Sequence, residues 1–165
     1  MFFGIWKKIE DVKSLQFQAF HTYSSLGLKL LEDADALEEA GLFFCELSEE
    51  KLEGYFYLIE LQKCCSLCFF NEPSEPDLDQ PSWKGLQEAM EFALELEKRL
   101  KLAVRILCHK AFMCGYSEVC DLLMNHLMEK EEEVVEQIQA HMDTVQPGNP
   151  AGAGSALLML PAAQG

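Results

Sequence analysis

Four glutamates, Glu46, Glu49, Glu50 and Glu53, stand at i, i+3, i+4 and i+7. On a helix of about 3.6 residues per turn they project from one face within two turns. Glu46 then neighbours Glu49 and Glu50, and Glu53 neighbours the same two. Each like-charge pair costs a few tenths of a kcal/mol on an exposed helix, about 1–2 kcal/mol together. Lys51 lies nearby but points roughly 100° away from Glu50. Carboxylate oxygens gathered on a rigid element are what a hard or borderline cation requires. A charge run is equally the ordinary make-up of a solvated helix face, and spacing alone leaves both readings open.

Other residues with chemical potential form weaker patterns. Glu129, Glu131, Glu132, Glu133 and Glu136 make a denser acidic run that points all round a helix. It reads as solvated surface, with Glu131 facing inward beside Leu127 and Val134. Cys65-Ser-Leu-Cys68 has the spacing of half a zinc site, but no second C-x-x-C or H-x-x-x-H completes it. His126 and His141 are isolated and read as surface or core histidines. Phosphate-loop, serine-hydrolase and zincin chemistry find no G-x-x-x-x-G-K-S/T, G-x-S-x-G or H-E-x-x-H motif.

The elements that carry these residues follow from apolar spacing. Leu15, Ala19, Tyr23, Leu26 and Leu30 recur every three or four residues and predict a helix over 9–31. Leu37, Phe44, Leu47, Leu58 and Leu61 predict a second over 36–64. Pro73, Pro76 and Pro81 exclude helix from 71–82. A third helix is expected over 83–110 and a fourth over 117–145, and no strand pattern competes. Short links within each half suit antiparallel hairpins. The long middle link can reach roughly 60 Å when extended, whereas a helix of about 27 residues is about 40 Å long. The expectation is an all-α four-helix bundle with one long crossover: one domain spanning 1–165, its core over 9–145, and an irregular tail over 146–165.

The chain has 165 residues, a net charge of −15 and a pI near 4.5. That field repels nucleic acid and anionic membranes and concentrates cations, so neither is an expected partner. Met1-Phe-Phe-Gly-Ile-Trp6-Lys7-Lys8 places apolar residues before its basic pair, the reverse of a secretory signal. No window reaches the ~18 apolar residues of a membrane-spanning helix. Seven cysteines, an odd number, then read as free thiols of a cytoplasmic protein.

Several stretches carry a family resemblance. Leu47-Ser-Glu-Glu-Lys-Leu-Glu-Gly-Tyr55, continuing to Gln62, is similar to the second helix of animal ferritins. Gln18-Ala-Phe-His-Thr-Tyr-Ser-Ser-Leu-Gly27, Ala89-Met-Glu-Phe-Ala-Leu-Glu-Leu-Glu-Lys98, Cys120-Asp-Leu-Leu and Asn125-His-Leu agree with the same family in order and spacing. The resemblance covers about 15–145 and implies the bundle with one long crossover. It also separates an oxidising subunit type from a light type. The oxidising type builds a di-iron centre with a Glu-x-x-His pair on the second helix. That pair is replaced here by Lys51-Leu-Glu-Gly54, and the first-helix glutamate position holds Gln16. Tyr23, Glu50, Glu97 and Glu131 remain at matching positions. Lys51 can set its ammonium where a metal would sit and pair with those carboxylates. The substitutions are similar to the light type and imply no ferroxidase activity.

What the light type keeps, Glu46, Glu49, Glu50 and Glu53 match: an acidic patch facing a cavity, where ferric oxide mineral begins to form. Phe56 stands one turn on, where the family has a further acid. Asp121 matches one of two acids lining an iron-access channel, and Met124 replaces the other. The family's short fifth helix is reduced to 156–160. The resemblance thus implies an iron-storage subunit in a shell of about 24 chains that relies on oxidising heavy-type partners. Two alternatives stand beside it. One is weak residual iron oxidation at Tyr23, Glu50, Glu97 and Glu131. The other is a diverged bundle that no longer stores iron and acts as a scaffold.

Overall fold

The computed structural model describes residues 2–33, 37–66 and 83–145. Helix α1 spans Phe2–Asp33, α2 Glu38–Ser66, α3 Leu86–Met113 and α4 Ser117–Leu123. A π turn, Met124–Met128, joins α4 to α5, Glu129–Val145. With α4, the π turn and α5 forming the fourth rod, the described residues make an all-α four-helix bundle. α1 packs along α2 and α3, and α3 packs along α4 and α5.

Each rod buries one stripe at three- and four-residue spacing. On α1 it runs through Ile5, Ile9, Val12, Ala19, Leu26 and Leu30, and on α2 through Ala40, Phe44, Leu47, Leu58 and Leu61. On α3 it includes Met90, Ala93, Leu100, Val104, Leu107 and Ala111. Leu123, Leu127, Val134, Ile138 and Met142 close the core from the fourth rod. α1 and α2 approach closely at Gly27, where an added Cβ would fall 2.7 Å from the Cys45 sulfur and 2.9 Å from its backbone nitrogen.

Local chemistry explains the ends. The Glu88 carboxylate accepts the Lys84 N–H at 3.0 Å, satisfying a donor at the start of α3. Gly115, with φ of 85°, ends that helix in the left-handed region that a Cβ disfavours. Gly115 donates its N–H to the Phe112 carbonyl at 3.1 Å and Tyr116 to that of Ala111 at 2.8 Å. That pair of bonds is the Schellman arrangement, and it turns the chain into α4.

The structure corrects the expected boundaries. α1 begins at Phe2 rather than at residue 9, because Ile5 continues the buried stripe one turn earlier. α2 is displaced two residues toward the C-terminus at both ends, and α3 spans Leu86–Met113 rather than 83–110. The fourth helix is not one uninterrupted α-helix, since the π turn falls inside it. The proline-rich link, Cys68 of the C-x-x-C pattern and the segment 156–160 lie outside the described residues.

Candidate functional site

The core stripes are not wholly apolar. Position 16 continues the α1 stripe between Val12 and Ala19 and is Gln16; Tyr23 follows between Ala19 and Leu26. On α2 the positions between Leu47 and Leu58 are Lys51 and Gly54, and on α3 the position between Ala93 and Leu100 is Glu97. Gln16, Tyr23, Lys51, Gly54 and Glu97 are all buried. The same helical spacing that builds the core therefore delivers polar groups from three helices into its interior.

Glu97 is the centre of this set, and it is fully enclosed. The Tyr23 hydroxyl donates to its Oε1 at 2.9 Å and also lies 3.3 Å from the Ala93 carbonyl. The Lys51 ammonium donates to its Oε2 at 2.8 Å. Both carboxylate oxygens thus accept a hydrogen bond, and the buried negative charge is matched by a buried positive one. Lys51 meets Glu97 as the sequence reading expected.

Gln16 and Gly54 occupy one another's space. A Cβ at position 54 would lie 3.1–3.2 Å from the Gln16 amide atoms. That amide fills the volume a side chain at 54 would enter, yet neither its nitrogen nor its oxygen has a hydrogen-bond partner among the described residues. Beside it opens a cavity of about 230 Å³, whose walls include Glu50, Glu53, Tyr57 and His126. The Tyr57 and His126 rings stack with centroids 4.6 Å apart and planes inclined by 37°. Sequence reasoning singled out neither as a wall residue. The π turn carries His126 there, and nothing in the apolar spacing announced that turn.

The acidic stripe on α2 divides into two pairs. Glu50 and Glu53 line the cavity mouth, next to Lys51. Glu46 and Glu49 instead flank Cys45: burial first, then the carboxylates of Glu49 and Glu46, push its thiol above the ordinary value. All four glutamates are exposed. Among the described residues, no three of His, Cys, Asp and Glu converge as a metal-ligand set. Asp121 is exposed on α4, remote in sequence from the stripe, and Met124 and Phe56 are 43% and 55% exposed. The Glu131 side chain lies outside the described residues. His141 is half-buried and stacks on Phe43 with centroids 4.5 Å apart.

A carboxylate, Glu97, turned into the core of a four-helix bundle is in keeping with ferritin-like proteins. The chain aligns with the ferritin light chain of Bos taurus at 35% identity over 152 residues, 90% of this chain and 86% of that one. It aligns with the ferritin light chain of Pongo abelii at 31% over 152 residues, again 90% and 86%. With ferritin light chain 1 of Mus musculus the identity is 35% over 135 residues, 81% of this chain and 73% of the relative. No family model matches. On this similarity the chain belongs to the ferritin family, and these three relatives are light chains. No helix among the described residues is long and apolar enough to cross a membrane.

Proposed function

We propose that the chain is an iron-storage subunit of a ferritin-type shell that nucleates ferric oxide mineral on Glu46, Glu49, Glu50 and Glu53 and has no ferroxidase centre of its own. The observation that carries this reading is the Lys51–Glu97 pair, at 2.8 Å inside the core. A di-iron carboxylate centre draws on glutamates from separate helices together with Glu-x-x-His pairs. Here the corresponding positions present an amide at Gln16, an ammonium at Lys51 and no side chain at Gly54. That donor set does not fit two metal ions, and the Glu97 carboxylate, one of those retained, is engaged by Tyr23 and Lys51. Iron is then cargo: oxidation falls to heavy-type subunits of a mixed shell of about 24 chains, and the exposed glutamates of α2 supply oxygen ligands to the growing mineral. Asp121 is the remaining acid of an iron-access path, and the cytoplasm is the compartment that this function and the free thiols suit.

Stopped-flow iron oxidation with oxygen tests both halves. The chain alone should show no fast oxygen-dependent phase. Mixed shells in which all four stripe glutamates are changed to alanine should form mineral more slowly than mixed shells with the unaltered chain. A fast phase from the chain alone would overturn the non-catalytic half; unchanged mineral formation in the quadruple variant would overturn the nucleation half. A scaffold without storage is the second reading, favoured by the exposed apolar Phe56 and Met124. Native mass measurement with a heavy-type subunit separates the two, because a chain that stays monomeric or dimeric encloses no cavity for mineral.

A further inference from the structure

The cavity beside Gln16 has no part in the storage reading. Gln16 is 1% exposed, and neither atom of its amide has a hydrogen-bond partner among the described residues. Its side chain forms part of the cavity wall. A buried amide loses the hydrogen bonds that water gave it, and the cavity is where a replacement partner can enter. Glu50 and Glu53 border the mouth, while the Lys51 ammonium on the same wall is held by Glu97 at 2.8 Å. Two carboxylates beside one engaged ammonium favour a cationic guest over an anionic one. Tyr57 and His126 add a stacked aromatic wall, and Leu127 an apolar one. His126 and Leu127 both come from the π turn, a backbone feature that recurs at functional sites.

We propose that this cavity binds a compact, planar organic cation of the amidinium or guanidinium class. Its N–H groups donate to the Gln16 amide oxygen and to the carboxylates of Glu50 and Glu53. Its flat face lies on the Tyr57–His126 pair, as delocalised cations do on aromatic rings. At about 230 Å³ the cavity is smaller than the roughly 300–1,000 Å³ of pockets for drug-sized ligands, so the guest has about ten non-hydrogen atoms or fewer. Among the described residues no three metal-ligating side chains converge there, which separates this site from a metal centre.

Titration calorimetry of the full chain with benzamidine tests the proposal. One molecule should bind per chain, with a Kd below about 1 mM. Benzamide, which has the same shape without the charge, should bind at least about tenfold more weakly. Gln16→Leu should weaken benzamidine about tenfold, the effect of losing one hydrogen bond to a charged group. The paired change Glu50→Gln with Glu53→Gln, at two exposed positions, should weaken it by about tenfold or more. Glu38→Gln with Glu39→Gln makes the same charge change about 16 Å away along α2 and should alter the affinity less than about twofold. Benzamidine should also raise the unfolding midpoint of the unaltered chain more than that of Gln16→Leu. Absence of saturable binding would mean that the cavity takes up water only, and would overturn the proposal. So would benzamide binding as tightly as benzamidine, or an unchanged affinity in Gln16→Leu. Equal losses in the two paired variants would assign the binding to the acidic surface as a whole and overturn it as well.

Discussion

Lys13 and Lys51 are both buried, 6% and 4% exposed, and both donate to a glutamate, yet their surroundings differ. Lys13 bonds Glu10 at 2.6 Å and the Gln62 oxygen at 2.9 Å, while the Gln62 nitrogen returns to Glu10 at 2.8 Å. Glu10 retains 16% exposure of its side chain, so this triangle between α1 and α2 reaches solvent. Lys51 joins α2 to Glu97 of α3, and the Glu97 side chain has none. Water reaches the Glu10 carboxylate directly, whereas the Glu97 carboxylate is closed to it. The lesson is that burial of a lysine alone does not set its energetic weight; the solvation of its carboxylate does.

Removing each carboxylate should expose that difference, with the largest effect at Glu97. Glu97→Ala leaves the Lys51 ammonium in the core and should lower unfolding free energy by about 3–5 kcal/mol in urea titrations. The double change Lys51→Met with Glu97→Leu removes both charges and should recover most of that loss. A double variant as unstable as Glu97→Ala would mean that shape, rather than loss of the Lys51–Glu97 pair, dominates. Glu10→Ala should cost only about 1 kcal/mol, in line with partly exposed ion pairs. If the Glu10 and Glu97 variants lose equal stability, solvent access is not the distinction between the clusters. Gln16→Leu should have the smallest effect and the opposite sign, a gain of about 1 kcal/mol, since it removes amide atoms without partners. A measured loss would show instead that the amide is satisfied in solution from the cavity beside it.

The bundle itself was readable because four apolar stripes at helical spacing admit few other folds. The start of α1 was not, since Phe2 and Phe3 precede Gly4 and the first turn carries no acidic residue to mark it. Within the site, the family resemblance placed Gln16, Tyr23, Lys51, Gly54 and Glu97, and helical spacing explains why they share an interior. Spacing also put the four glutamates on one face but could not show that Glu50 and Glu53 border a cavity while Glu46 and Glu49 flank Cys45. Those distinctions depend on which neighbour lies across each turn. Tyr57 and His126 illustrate the same limit: two aromatic residues distant in the chain meet because a π turn shifts the register of everything after Leu123.

The enclosure of Lys51 makes that residue an internal clock for opening of the bundle. An amine-acylating reagent reaches Lys63 and Lys98 at once, since their side chains are 69% and 51% exposed. Lys51, its side chain 5% exposed, reacts far more slowly and gains access as α2 and α3 part, so its modification rate relative to those two rises with the frequency of core exposure. Any shell, partner or mineral that holds the two helices together should slow that clock without altering the surface lysines.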